Sequence, residues 1–182
     1  MDPSKDTRNL IDKFKGLPNE AIVAELDKSR IPLEIAIENL AHDFNIGTIV
    51  RNANAFNVSR VHIIGKRKYN RRGAMVTDKY LHIDHFANVA DFVADAHGRN
   101  MKIVAVDNNR PEAKALANTE IFANSILVFG SESDGISQEL LDLADQASYI
   151  EQLGSTRSIN VGCASAIAMY ECVRRLGLLP DA

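Results

Sequence analysis

Apolar residues along this chain recur with two periods, and segments of the two kinds alternate. Short aliphatic or β-branched runs stand at "LEIAIENL" (33–40), "RVHIIG" (60–65), "KIVAVD" (102–107) and "SILVFG" (125–130). Runs of this length and composition are typical of buried parallel strands. "YLHIDHF" (80–86) predicts a further short strand, and "QASYIEQL" (146–153) contains another. Between them, helical spacing appears over 46–56, over 89–98 with a stop at Gly98, over 137–145 with Ser137 as N-cap, and from Ile159 to Leu176. Strands alternating with helices predict an α/β fold, a parallel sheet with helices on both faces. Upstream, "TRNLIDKF" and "NEAIVAELDKSR" both carry helical spacing and are separated by Gly16 and Pro18. The expected organisation is a helical N-terminal extension over residues 1–30, then one α/β domain over 31–182.

Composition narrows this picture without changing it. The chain has 182 residues, 46% of them hydrophobic and 25% charged, which suits one ordinary globular core. No apolar run approaches the ~20 residues of a membrane span. The N-terminal "MDPSKDTRNL" has no apolar signal region, so a cytoplasmic protein is expected. Cys163 and Cys172 lie nine positions apart on one predicted helix, on opposite faces, so no disulfide between them is expected. His82 and His85 would face opposite sides of a strand, and no cysteine or histidine cluster has zinc spacing; no metal requirement is expected.

The net charge of −3 makes no case for a nucleic-acid partner, but its distribution does. "GKRKYNRRG" (65–73) gathers Lys66, Arg67, Lys68, Arg71 and Arg72 around Tyr69. A solvated loop or an import signal are the ordinary readings. A basic loop on an acidic protein also suits local contacts to phosphate.

Ligands of open α/β sheets bind beyond the carboxyl ends of strands, and three such ends are unusual here. "NIGTIVRNANAF" (45–56) spends three asparagines, a glycine and an arginine on a predicted helix, although asparagine and glycine are poor helix formers. Asn45 would serve as a cap and Arg51 as a snorkelling or ion-paired side chain on the plainest reading. "LVFGSESDGIS" (127–137) places Gly130 and Gly135 around a polar loop after a buried strand. That is either a simple βα turn or a site of close backbone approach to a ligand. Its Glu132 and Asp134 disfavour a phosphate cradle and suit a sulfonium or ammonium group. "LGSTRSINVGCASAIAMYECVRR" (153–175) opens a helix with Ser158 and Asn160, and Gly162, Ala164, Ser165, Ala166 and Ala168 keep its start slim. Tight helix packing alone would also explain it.

Asn-x-Gly-x-x-x-Arg, Phe-Gly-x-Glu-x-x-Gly-Ile-Ser and Ser-Ile-Asn-Val, in this order, resemble the three motifs of the SpoU (TrmH-like) 2′-O-ribose RNA methyltransferases of the SPOUT superfamily. The resemblance spans roughly residues 33–175. Two positions depart from the usual pattern: Ser131 replaces an asparagine in the second motif, and Gly162 replaces a serine in the third. The resemblance implies a C-terminal deep trefoil knot, a homodimer with its site near the subunit interface, and S-adenosylmethionine held by the knot loops. The cofactor positions it implies are Asp107, Phe129, Gly130, Ser131, Glu132, Gly135, Ile136, Ile150, Leu153, Ser158 and Ile159. The catalytic positions are Asn45, Arg51, Glu132, Ser158 and Asn160, with Arg51 assisting deprotonation of the ribose hydroxyl. A guanidinium is almost always protonated, so stabilising a developing alkoxide or gripping the adjacent phosphate is its better role. Lys66, Arg67, Lys68, Tyr69, Arg71 and Arg72 would then hold structured RNA, tRNA before rRNA. A non-catalytic RNA-binding member of the same fold is the main alternative. A flavodoxin-like or nucleotide-binding enzyme is the third, and the lack of a GxGxxG or Walker pattern counts against it.

Overall fold

The computed structural model describes residues 2–39, 45–66, 68–69, 72–108, 110–131 and 134–179. Among the described residues, seven strands form one sheet: β1 (Ile31–Asn39), β2 (Val58–Gly65), β3 (Ile83–Phe86), β4 (Lys102–Val106), β5 (Lys114–Ala115), β6 (Ser125–Phe129) and β7 (Gln146–Tyr149). Their order is β3-β2-β1-β6-β4-β7-β5, and every pairing is parallel. The helices are α1 (Asn19–Asp27), α2 (Asn45–Ala55), α3 (Val89–Gly98), α4 (Gln138–Leu143) and α5 (Val161–Arg175).

The sheet is covered on both faces, which explains why β1 alternates so poorly. From Leu33 to Asn39 every residue of β1 is buried, Glu34, Glu38 and Asn39 included. Leu33, Ile35 and Ile37 point into a core shared with Ile46, Ile49, Val50 and Ala53 of α2 and Ala168, Met169 and Cys172 of α5. Ala36 points the other way, toward Phe92 and Val93 of α3 and Leu140 of α4. Cys172 is buried and Cys163 exposed, as opposite helix faces require. Burial pushes the Cys172 thiol up to about 12.

Glu34, buried on the α3 face, is paired. His62 Nε2 lies 2.7 Å from Glu34 Oε2, and Arg99 donates to both Glu34 oxygens at 2.8 and 3.0 Å. Burial alone would raise the Glu34 pKa, but the bonds from His62 and Arg99 outweigh it and hold it at about 2. A depressed carboxylate stabilises the fold above its ordinary pKa, here 4.5, and loses that contribution as pH falls toward 2. Glu34→Gln is expected to remove on the order of 3 kcal/mol from the acid sensitivity of unfolding across this window. Urea unfolding of the two proteins between pH 5 and pH 2 checks it; equal pH slopes would contradict it.

The N-terminal segment corrects one expectation. Residues 5–15 are not an amphipathic helix: short 3-10 turns occupy Pro3–Lys5 and Asp12–Phe14, and only α1 is α-helical. The buried Asp6 carboxylate accepts from the Arg8 guanidinium and from the Gly16 amide at 2.8 Å, which folds the chain back on itself. Gly16, at φ +80°, ends this loop in a conformation that favours glycine. Phe14 and Ile22 then pack on Tyr80. Arg30 closes the junction by donating to Asp27, to the carbonyl of Val58 and to that of Tyr80. The two-residue β5 also escaped the periodicity, being too short to carry any.

Candidate active site

The strand order reverses direction at β1. From there the chain runs outward through β2 to β3, then returns so that β6 lies between β1 and β4. Crevices of open α/β sheets lie beyond the carboxyl ends of strands, and a cleft of about 680 Å³ lies beyond those of β4, β6 and β7. That volume is within the ~300–1,000 Å³ of small-molecule sites. Its walls come from the ends of three strands and the start of α5: Val106 and Asp107 after β4, Gly130, Ser131 and Gly135 after β6, Ile150 after β7, and Ser158, Ile159 and Asn160 before the helix.

The loop after β6 is shaped by its glycines. Ser131 and Gly135 exchange backbone hydrogen bonds of 3.0 Å in both directions, closing the loop on itself. A Cβ on Gly130 would meet Gly135 C at 2.0 Å, so only glycine fits. Gly135 has φ +69°. The amide of Ile136 donates to Asp107 Oδ2 at 3.1 Å, and that of Ser137 to Glu38 Oε2 at 2.7 Å.

The asparagines of α2 hold this helix against α5. Asn45 Oδ1 accepts from Asn160 Nδ2 at 2.9 Å. Seven residues on, and so on the same face, Asn52 Nδ2 donates to the Gly162 carbonyl at 2.8 Å and to Ser165 Oγ at 3.0 Å. Asn160 also caps α5, its Oδ1 accepting from the amides of Gly162 and Cys163. Gly162 is the close-contact point: a Cβ there would lie 2.8 Å from Thr48 Cγ2. The small residues of α5 therefore let two helices approach closely, and planar amides lock their register without adding charge.

Arg51 lies about 100° round α2 from Asn52. It is exposed, does not line the cleft, and makes no hydrogen bond or ion pair among the described residues. Of the other expected positions, Phe129 is wholly buried in the core, Ile136 is buried beside α4, and Leu153 is fully exposed outside the cleft. Glu132 lies outside the described residues, as do Arg67 and Arg71 and the side chain of Arg72. Lys66 and Lys68 are exposed at the end of β2, and Tyr69 packs half-buried against the α2 core. The buried Asn39 secures this loop, its Nδ2 donating to the carbonyls of Lys66 and Lys68.

Sequence reasoning did not single out the lining residues Asn108 and Tyr149, and it covered Gln152 and Arg157 only as part of the stretch from Ile150 to Ile159. Asn108 donates to the Arg157 carbonyl at 2.6 Å, joining two rims of the cleft. Position just beyond a strand was the one signal available for Asn108 and Tyr149. Glu38 carried none, and Asn52 stood out only as an unusual helix residue, since their roles depend on which neighbour the fold supplies.

Comparison with known proteins extends these observations. Residues 32–170 match the model of the SpoU rRNA Methylase family. The tRNA (guanosine(18)-2′-O)-methyltransferase of Escherichia coli K12 is 30% identical over 161 residues, 85% of this chain and 69% of that protein. A crystal structure of the A. aeolicus TrmH/SpoU tRNA modifying enzyme superposes with a TM-score of 0.75 at 24% identity, over 88% of this chain and 84% of that one. The SpoU methyltransferase AviRb from Streptomyces viridochromogenes, solved with AdoMet, superposes with a TM-score of 0.70 at 20% identity, over 79% and 60%. With most of its length matched, a cleft lined by the second and third motif segments, and the first joined to its edge through Asn45–Asn160, the chain belongs to the SpoU rRNA methylase family.

Proposed function

We propose that this protein is an S-adenosylmethionine-dependent methyltransferase acting on a ribose 2′-hydroxyl of structured RNA, with tRNA the favoured substrate. The observation that carries the reading is that the second and third motif segments line one cleft and the first is tied to its edge. Asn45 pairs with Asn160 at its edge, and the Gly130–Gly135 loop forms its wall. The E. coli relative, named for tRNA guanosine 18, supports tRNA over rRNA.

The residues present fit the cofactor. Val106, Ile150 and Ile159 offer apolar surface for an adenine, and Asp107 and Asp134 place carboxylates on the same cleft for a cationic group. When bound, the cofactor supplies an electrophilic methyl on a sulfonium. The protein's own task is positioning, which can supply much of the rate of such a transfer. Arg51, held on a helix fastened to α5, presents a permanent cation to the ribose oxygen as charge develops there or to the neighbouring phosphate. Asn45 and Asn160, together with Ser158, orient the ribose. Glu132 belongs to the same proposal as a tether for the ligand or for Arg51.

The homodimer and the trefoil knot belong to this proposal too. Ile167 and Tyr170 form an exposed apolar stripe on α5, suited to a second copy of the chain. The position of β6 between β1 and β4, with α5 packed against α2, supports a threaded C-terminal segment. Such knots are exceptional among folds. An RNA substrate of this kind favours a cytoplasmic location; among the described residues, no helix is long and apolar enough to cross a membrane.

The basic loop supplies the RNA contacts in this reading. Replacing Lys66 and Lys68 with glutamate is expected to weaken tRNA binding and to lower the slope of log affinity against log salt by about one unit for each phosphate left unneutralised. Filter binding across a salt series checks this, and an unchanged slope would remove the loop from the interface. The activity itself is tested by incubating the purified protein with labelled S-adenosylmethionine and unmodified total tRNA or rRNA. Label entering tRNA is the expected result. Cofactor binding without transfer to either RNA would favour a non-catalytic RNA-binding role.

A further inference from the structure

We propose that Glu38 is a positioning residue for the cleft, fixing the loop after β6 in its ligand-ready shape; this rests on the methyltransferase reading above. Glu38 stands at the end of β1 with only 2% of its surface exposed, so it touches neither cofactor nor RNA. A carboxylate is costly to bury without a partner. Its partner is the Ser137 amide, 2.7 Å from Oε2. The preceding amide, that of Ile136, is held at 3.1 Å by Asp107, just past β4.

The topology gives these two bonds their meaning. β1 and β4 are the strands that flank β6 in the sheet. Consecutive amides at the exit of the β6 loop are therefore gripped by carboxylates from the strands on either side. The loop's entry is fixed by Gly130, which has no room for a side chain, and its waist by the Ser131–Gly135 bridge. With all three points held, the lining atoms of Gly130, Ser131 and Gly135 keep one arrangement. Without Glu38, the exit is held on one side only. Ser137 also caps α4 through Leu140, so the same bond sets where that helix begins.

The test uses the full chain and three variants. Glu38→Leu removes the acceptor. Glu38→Asp keeps the charge but draws it back by about one carbon–carbon bond. Glu38→Gln keeps an acceptor at full reach. Calorimetric binding of S-adenosylmethionine and amide exchange at Ser137 are measured on each. Glu38→Leu and Glu38→Asp are expected to raise the cofactor Kd roughly tenfold and to speed exchange at Ser137, while Glu38→Gln stays within about threefold of wild type. Should Glu38→Leu fail to fold, the aspartate and glutamine variants decide. Wild-type cofactor affinity in Glu38→Asp with fast exchange at Ser137 would overturn the proposal, whatever the melting temperature, because the bond would then be structural only. If the wild-type protein binds no S-adenosylmethionine, the methyltransferase reading fails and this role fails with it, while unchanged Ser137 exchange across the variants would refute the clamp independently.

Discussion

Arg51→Ala is expected to lower the rate of methyl transfer by about 10²- to 10³-fold, the size of effect seen when one preorganised donor to a developing oxyanion is lost. The affinity for S-adenosylmethionine should stay within about twofold of wild type. The separation follows from where the side chain stands. Arg51 is exposed, lies outside the cleft, and bonds to no described residue. Removing it therefore breaks no bond among the described residues and takes nothing from the cleft walls. What it removes is a fixed cation on a helix whose register Asn45 and Asn52 set against α5. Arg51→Lys should recover only part of the rate, since an ammonium lacks the planar fork that grips ribose and phosphate oxygens together. Single-turnover transfer and calorimetry on the same samples check both halves. Turnover near wild type in Arg51→Ala would take this residue out of the chemistry.

Gly130→Ala is expected to weaken cofactor binding by at least about 10²-fold, and to lower the melting temperature as well. The added Cβ would meet Gly135 C at 2.0 Å, its carbonyl oxygen at 2.1 Å and Ile136 N at 2.3 Å. All three are backbone atoms of the loop itself, so no side chain can swing aside. Either the Ser131–Gly135 bridge opens or the Ile136 amide leaves Asp107. Each outcome rebuilds the cleft wall. Gly98→Ala is the control. Gly98 lies at the end of α3, and a Cβ there would have nothing within 4 Å, so this variant should bind cofactor normally. Equal affinity in the two variants would show that the loop's shape does not matter for binding.

The parts of this molecule that could be read before folding are those written in local pattern. The aliphatic runs of β2, β4 and β6 gave away a parallel sheet, because strands covered on both faces carry few polar residues. Ser137 and Asn160 announced helix starts, because a cap needs only an acceptor near the first free amides. Residues 5–15 misled for the converse reason. Their spacing suits a helix, but the Asp6–Arg8–Gly16 cluster offers the backbone and side chains better bonds in a turn. Glu38 was silent, and Asn52 stood out without revealing its partner, since what each does is set by a partner more than ninety positions away. The asparagines of α2 looked extravagant for one helix, and they were: two of them serve the contact between α2 and α5.

The most direct test of the central claim concerns which atom receives the methyl group. Unmodified tRNA is methylated with label from S-adenosylmethionine, then hydrolysed in alkali. Cleavage of RNA by alkali requires a free 2′-hydroxyl, so a methyl on that oxygen protects the neighbouring phosphodiester. The expected result is label recovered in alkali-resistant dinucleotides as a 2′-O-methyl nucleoside, and lost with Arg51→Ala. Label released in mononucleotides carrying a methylated base would contradict it.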